Sequence, residues 1–270
     1  MVNLVDRNTV LCVSLAARPS NHGVRFHNWL YAKLGLNYLY KAVAPADIEQ
    51  AVAGIRGLGI RGAGVSMPYK QAVIPLIDAL HPSAERINSV NTIVNTDGHL
   101  VGYNTDYVAV EKLLTSHQLD PQLKVAVRGS GGMASAVVAA LADYGLNGVV
   151  VARNQETGSQ LAHKYGWRYV AEVPEDATML VNVTPLGMHG ADADVQSFSD
   201  EQISQATVVF DVVAFPVETP LIKAATRLGV ATINGGEVVA LQAAEQFGLY
   251  TGVAPSMEDV IAAEEYAQAE

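Results

Sequence analysis

Gly129-Ser130-Gly131-Gly132-Met133-Ala134 is the stretch of this sequence whose residue types and spacing point most directly to chemistry. It follows the apolar run Val125–Val127 and opens an Ala-rich helical pattern reaching Tyr144. A second apolar run, Gly148 to Ala152, then ends at Arg153. Strand, glycine turn, helix and strand in that order are expected to form a dinucleotide-binding βαβ unit. Gly129 would form the tight turn, Gly131 would let the backbone approach a pyrophosphate, and Ala134 would let the helix pack close to the strand. Ser130, Gly132 and Met133 complete the turn at the helix N-terminus, where unpaired N–H groups and partial positive charge suit phosphate. The glycine spacing alone also occurs in βα turns that bind nothing; the flanking strands favour the dinucleotide.

The end of the second strand bears on which dinucleotide. An NAD site places Asp or Glu there to accept bonds from the ribose 2′-OH, whereas Arg suits the 2′-phosphate of NADP. Arg153 stands at that position, and the nearest acid, Glu156, falls inside the next helical segment. The pattern therefore favours NADP, with NAD use left open.

Chemistry through such a cofactor moves a proton as well as a hydride, so a proton-transfer group is needed beside the reacting hydroxyl. Lys70 (in Val65-Ser66-Met67-Pro68-Tyr69-Lys70), Asn91 and Asp106 fall at or just beyond the C-terminal ends of expected strands, where α/β proteins place their sites. A Lys beside a carboxylate makes a proton-transfer pair once the two are withdrawn from water. Taken singly, each reads as readily as a solvated surface charge.

The elements that must position these residues alternate regularly. Strands are expected at Thr9–Ser14, Asn37–Val43 and Ile60–Val65, with a helix at Val24–Leu34 and another opened by Pro45 and running to Arg56. Pro68 is expected to open a further helix carrying Val73, Ile74, Leu76 and Ile77 toward Leu80, kinked or divided at Pro75. Asn95-Thr96-Asp97-Gly98 marks a hairpin between Val90–Val94 and His99–Gly102, and Tyr107–Ser116 reads as a helix. Beyond Arg153, strands fall near Met179–Val183, Val208–Val213 and Ala231–Ile233, and helices at Gln155–Tyr165 and Leu221–Arg227. Two terminal helices, Glu237–Phe247 and Met257–Ala267, have no strand after them and are free to return to the first domain. The pattern is that of an α/β protein with mostly parallel sheets.

Composition narrows the class. Half of the 270 residues are apolar and 16% are charged, as in a well-filled α/β protein. The formal charge of −10 comes without a basic block, which argues against nucleic acid as a partner. A lone cysteine, Cys12, excludes an intramolecular disulfide and a cysteine metal cluster, and it reads as a core residue. The seven histidines show no ligand spacing, so no metal is expected. No apolar stretch reaches the roughly 18 residues of a membrane span, and no signal-peptide pattern opens the chain. The expectation is a cytoplasmic enzyme acting on a small molecule, monomer or homodimer.

VSMPYK, SVNTI, YNTD, GSGGMA, NVTPLGM, DVVAFPVETPLI and GGEVVALQAAEQF occur in the order found in shikimate dehydrogenases, and the chain resembles that family over nearly its whole length. The resemblance implies two domains with a cleft between them: an N-terminal α/β substrate domain built from residues 1–105 plus 237–270, and a Rossmann-type NADP-binding domain at 106–236. It implies NADP-linked interconversion of shikimate and 3-dehydroshikimate. By matching position, Lys70 resembles the catalytic lysine and Asp106 its carboxylate partner, while Ser66, Asn91 and Gln242 resemble substrate-binding residues. Gly129, Gly131 and Arg153 resemble cofactor contacts, Thr184 lies in a segment lining the cofactor site, and Gly235 with Gly236 matches a glycine turn beside the nicotinamide. Without the family, that pair reads as a left-handed turn before a helix.

Two departures stand out. The family's N-terminal Ser-x-Ser, which grips the ring carboxylate, falls here on Asn21-His22-Gly23. Asn21 supplies an amide, and Ser20 or Arg18 is near enough in sequence to substitute. Ala214 stands where the family usually has Tyr, with Tyr69 or His22 as possible replacements for the lost hydroxyl. Losing one hydrogen bond to a charged group costs about 1.5–3 kcal/mol, so weaker shikimate binding than in a housekeeping enzyme is expected. Two other readings remain open: a quinate/shikimate dehydrogenase with relaxed cofactor choice, and a non-catalytic ligand sensor. Retention of both Lys70 and Asp106 argues against the sensor.

Overall fold

The structure, a computed structural model, describes residues 5–269. Two compact units divide the chain: one runs to Thr105 and resumes at Ala240, and the other spans Asp106–Val239.

In the first unit β1 (Val10–Leu15), α1 (His22–Lys33), β2 (Tyr38–Val43), α2 (Ile48–Gly57) and β3 (Gly62–Val65) alternate. The start of α2 corrects the expectation from Pro45: the Asp47 carboxylate accepts from the Gln50 N–H and fixes the N-cap at Asp47. The helix expected from Pro68 is likewise absent. That segment forms turns, a short 3₁₀ turn at Ile74–Leu76 and β4 (Ala79–Leu80), which pairs with β6 (His99–Tyr103). Pro75 has no N–H to give a helix interior, and the apolar residues reach the core without one: Val73 is buried, and Ile74, Leu76 and Ile77 pack beside it. The four-residue α3 (Pro82–Glu85) follows.

β5 (Thr92–Thr96) and β6 make the expected hairpin, with Asp97 and Gly98 both at positive φ, as a tight two-residue turn demands. This antiparallel pair makes the first sheet mixed, in the order β2-β1-β3-β5-β6-β4, while β2 with β1, β1 with β3 and β4 with β6 pair in parallel.

α9 (Gly235–Thr251) packs on this sheet, and α10 (Met257–Gln268) packs against α1. Ala243, Phe247, Tyr250, Val260 and Ala263 share one core with Cys12, Phe26, Leu30 and Tyr40. Gly62 explains how closely α9 approaches: a Cβ there would lie 2.2 Å from the Tyr250 ring. Burial pushes the Cys12 thiol up to about 12, an inert core residue.

His27 belongs to the same core and stacks on Tyr40, ring centroids 4.3 Å apart. Burial depresses its pKa from 6.5 to about 3, so it is neutral in the fold. Between those values the unfolded chain binds the additional proton, and stability must fall as pH is lowered through that window. The denaturation midpoint is therefore expected to drop between about pH 7 and about pH 4.5, and His27→Phe to flatten that slope whatever it does to the midpoint at neutral pH. An unchanged slope in the variant would assign the acid sensitivity elsewhere.

The second unit begins within α4 (Thr105–Ser116) and continues through β7 (Lys124–Arg128), α5 (Gly132–Asp143), β8 (Asn147–Val151), α6 (Gln155–Lys164) and β9 (Arg168–Val170). β10 (Met179–Asn182), α7 (Asp200–Gln205), β11 (Val208–Asp211), α8 (Pro220–Arg227) and β12 (Ala231–Ile233) complete it. All pairings are parallel, and the order β12-β11-β10-β7-β8-β9 is the doubly wound arrangement, with its switch point between β7 and β10. α5 is buried almost all round, from Ala134 to Leu141, as its Ala-rich sequence allows.

Candidate active site

In the first unit the residues singled out from the sequence collect at the C-terminal end of β3. The Ser66 N–H donates to the Leu15 carbonyl at 2.9 Å, and the Tyr69 N–H donates back to the Ser66 carbonyl. The Val90 N–H donates to the Lys70 carbonyl at 2.8 Å, and the Val65 N–H donates to the Asn91 carbonyl at 2.7 Å. Lys70 is thus held by its main chain in a turn, not on a helix. Asn91 is buried: its Oδ1 accepts from the Thr105 N–H and the Thr92 hydroxyl, both at 2.8 Å, and its Nδ2 donates to Thr105 Oγ1 at 3.0 Å. Gln242 Nε2 reaches the same Thr105 hydroxyl at 3.0 Å, so α9 and the residue before β5 meet on one threonine. Gln246 Nε2 donates to Thr92 Oγ1 at 2.8 Å and to the Asn91 carbonyl at 3.2 Å. Thr105 and Gln246 escaped the sequence reading; Thr105 lies in the YNTD stretch, whereas nothing local marks Gln246.

The segment before α1 is arranged differently. Ser20 is exposed and enters no side-chain hydrogen bond among the described residues. Asn21 is the N-cap of α1 but makes no side-chain cap bond. His22 Nε2 lies 2.8 Å from Glu264 Oε1 of α10, and the other Glu264 oxygen is buried with no partner. Gly23 is not required sterically, since a Cβ there would only touch the Tyr40 ring at 3.5 Å.

In the second unit, Asp106 stands half-buried in the first turn of α4, directly after Thr105. The next residue, Tyr107, has its hydroxyl within reach of Glu111 Oε1 at 3.0 Å and Asp143 Oδ2 at 2.9 Å, which anchors the start of that helix to the end of α5.

The glycine turn lies at the switch point. Gly129 has φ +122°, and a Cβ there would come within 2.8 Å of Val183 and 3.1 Å of Thr184, so both conformation and the approach of the β10 loop demand glycine. Gly131 caps α5 with no side-chain bond to its N–H groups, and Cβ atoms on Gly131 or Gly132 would meet nothing in the protein. Met133 is half-buried and Ala134 fully buried, the latter where close packing was expected. The Ser130 hydroxyl bonds the Thr157 hydroxyl at 2.7 Å, joining the turn to the first turn of α6, and Arg153 is exposed just beyond β8.

Thr184 and Asn182 form a second loop at the sheet edge. Asn182 Oδ1 accepts from the Thr184 hydroxyl at 2.6 Å and its N–H at 3.1 Å. Asn182 Nδ2 donates to Asp211 Oδ1 at 2.9 Å, and the Thr219 hydroxyl donates to Asp211 Oδ2 at 2.7 Å. Burial raises the Asp211 pKa, opposed by its bonds from Thr219, Val213 and Asn182. Gly235 departs from the left-handed turn expected of it: Gly235 and Gly236 open α9 without positive φ. Glycine is required at 235 because a Cβ would lie 2.3 Å from the Val213 carbonyl group and 2.6 Å from the Ala214 nitrogen.

These groups, an amide and hydroxyl cluster in one unit and a glycine turn at a helix N-terminus in the other, belong to a chain with clear relatives. Residues 21–93 match the family described as the shikimate dehydrogenase substrate binding domain. The shikimate dehydrogenase (NADP(+)) of Moorella thermoacetica is 36% identical over 259 residues, covering 89% of this chain and 88% of its own. The chain belongs to the shikimate dehydrogenase family. Family members of that name are NADP-linked oxidoreductases acting on a CH–OH group. A shikimate dehydrogenase-like protein of Haemophilus influenzae is 50% identical over 268 residues, with 98% of this chain and 99% of its own covered. A solved shikimate 5-dehydrogenase-like protein superposes with a TM-score of 0.97 at 49% identity, covering 98% of this chain and 100% of the other. Among the described residues, no helix is long and apolar enough to cross a membrane.

Proposed function

We propose that this protein is an NADP-dependent oxidoreductase that interconverts shikimate, or a close hydroxylated ring acid, with its ketone. The observation that carries the reading is the glycine turn at the switch point. Gly129 is sterically obligatory there, while Gly131 and Gly132 leave the first N–H groups of α5 bare, a cradle that a Cβ would fill. The residues present therefore fit a dinucleotide, with Gly129 to Ala134 at the pyrophosphate, Arg153 at the 2′-phosphate, and Thr184 and Gly235 toward the nicotinamide end. When bound, NADP supplies the hydride acceptor.

The chain's own residues bind the ring and move the proton. Lys70 takes the proton from the reacting hydroxyl in the oxidative direction and returns it in the reductive one, with Asp106 as its carboxylate partner. Ser66, Asn91 and Gln242 hold ring hydroxyls. Asn91 and Gln242 both bond Thr105, the residue before Asp106, which supports their acting as one positioned group. Domain roles follow the same division: residues 1–105 with the last two helices for the substrate, and the central segment for the cofactor.

Shikimate binding is weaker here than in a member with Ser-x-Ser. Asn21-His22-Gly23 offers no hydroxyl, and His22 is engaged with Glu264. A second reading has quinate turned over as well and NAD accepted, the latter because the turn Asn154-Gln155-Glu156-Thr157 adds no second base to Arg153. The test is an initial-rate assay at alkaline pH, where proton release favours oxidation, crossing shikimate and quinate with NADP and NAD. Shikimate with NADP is expected to turn over with a KM raised about tenfold or more above that of a Ser-x-Ser enzyme. An equal KM would sink the weak-binding reading, and no turnover in any combination would sink the reaction assignment.

A further inference from the structure

Arg128 ends β7 directly before Gly129, where the apolar run Val125–Val127 breaks to a cation. Its guanidinium is half-buried and makes neither a hydrogen bond nor an ion pair among the described residues, and its Nε is sealed from solvent. It lies against Phe198, whose ring centroid is 4.9 Å from Cζ. Phe198 shares a core cluster with Ala126, Val149, Val151 and residues of α7 and α8, which places the Arg128 side chain on that face of the sheet. Burial alone acts on its pKa, and it lowers it; no carboxylate contributes. Withdrawing a guanidinium from water without a counter-charge is costly, and such a cation is suited to an anion that arrives from outside.

The surroundings indicate which anion. Arg128 pairs in register with Val151, two residues before Arg153, so the two guanidinium groups issue from neighbouring strand ends. The first turn of α6, Asn154 to Thr157, holds no other base, and its Thr157 hydroxyl is bonded to Ser130. α5, whose N-terminus serves the pyrophosphate, crosses from β7 to β8, whereas α7 and α8 belong to the half of the sheet wound in the opposite direction. Right-handed crossovers put the two sets on opposite faces, so Arg128 is on the side away from α5.

We propose that Arg128 is a second cation for the 2′-phosphate of NADP, acting beside Arg153 and setting the preference for NADP over NAD. The inference rests on the NADP-linked reading above. Phe198 holds the guanidinium by a cation–π contact in the absence of the anion.

Calorimetric titration of the purified protein with adenosine 2′,5′-bisphosphate and adenosine 5′-monophosphate tests this without turnover, since the two ligands differ only in the 2′-phosphate. Arg128→Met keeps bulk against Phe198 and removes the charge. It is expected to raise Kd for the bisphosphate about tenfold or more and to change Kd for the monophosphate less than about twofold. Arg128→Lys keeps a charge but loses the planar fork, and an intermediate loss is expected; it carries the test if the Met variant does not fold. Equal weakening of both ligands would make Arg128 a 5′-phosphate contact, and no weakening would make it a packing residue; either result overturns the proposal. A wild-type protein that does not favour the bisphosphate would overturn the NADP reading itself, and the inference with it.

Discussion

Replacing Lys70 with alanine is expected to lower kcat by a factor of about 10² or more while leaving NADP affinity and the thermal midpoint near their starting values. The reasoning separates the residue's backbone from its side chain. The Lys70 carbonyl accepts from the Val90 N–H, and alanine keeps that carbonyl. What chemistry would use is the amine. A loss confined to kcat, with KM little changed, is the signature of an interaction made in the transition state. Initial rates across substrate concentration and a separate titration with NADP check both halves. If the variant retained more than about a tenth of the turnover, Lys70 would not be the proton-transfer group, and a sensor losing only affinity would become the better description.

Gly235→Ala is expected to act through stability. A Cβ at 235 would sit 2.3 Å from the carbon and oxygen of Val213 and 2.6 Å from the nitrogen of Ala214, all backbone atoms in a buried segment. Side chains can rotate away from such an intrusion; a peptide plane flanked by buried residues cannot. The expected cost is about 3 kcal/mol or more, at the upper end of overpacking effects. For a unit of this size that corresponds to a fall in Tm of roughly 10 °C. Gly131→Ala is the matched control: its Cβ meets nothing in the protein and its φ of −80° suits alanine, so Tm should hold while NADP binding weakens. Thermal unfolding of the two variants side by side decides the matter. Similar midpoints would mean that the Val213–Ala214 segment yields, and that the glycine at 235 is not set by packing.

The contrast between these two glycines shows what was legible. The turn at Gly129 to Ala134 could be read because its cause is local: adjacent strand and helix patterns fix where it falls, and φ at Gly129 follows from the turn itself. Gly235 looked like a conformational glycine, and its real constraint comes from Val213, more than twenty positions away in sequence. The Pro68–Leu80 segment failed for a related reason. Its apolar spacing suited a helix, but pairing of β4 with β6 and the missing N–H of Pro75 outweighed that spacing. β9 and α7, of three and six residues, are too short to carry a period.

The candidate site divides along the same line. Lys70, Asn91 and Asp106 were legible as polar residues at strand ends, whereas Arg128 passed unremarked between an apolar strand and the glycine turn. That the Asn91 amide is shared with Thr105, that Gln246 arrives from 155 positions away, and that His22 is tied to Glu264 across 242 positions, were not. The sequence by itself determined the alternation of strands and helices, the βαβ unit around the glycine turn and the place of that turn. Each of these follows from side-chain period and backbone sterics within a few residues. The tertiary structure alone decided which polar groups bond one another, which glycines are held by neighbouring backbone, and that Arg128 has no counter-charge among the described residues. Those outcomes depend on atoms brought within about 3–5 Å by packing, and no local period encodes that proximity.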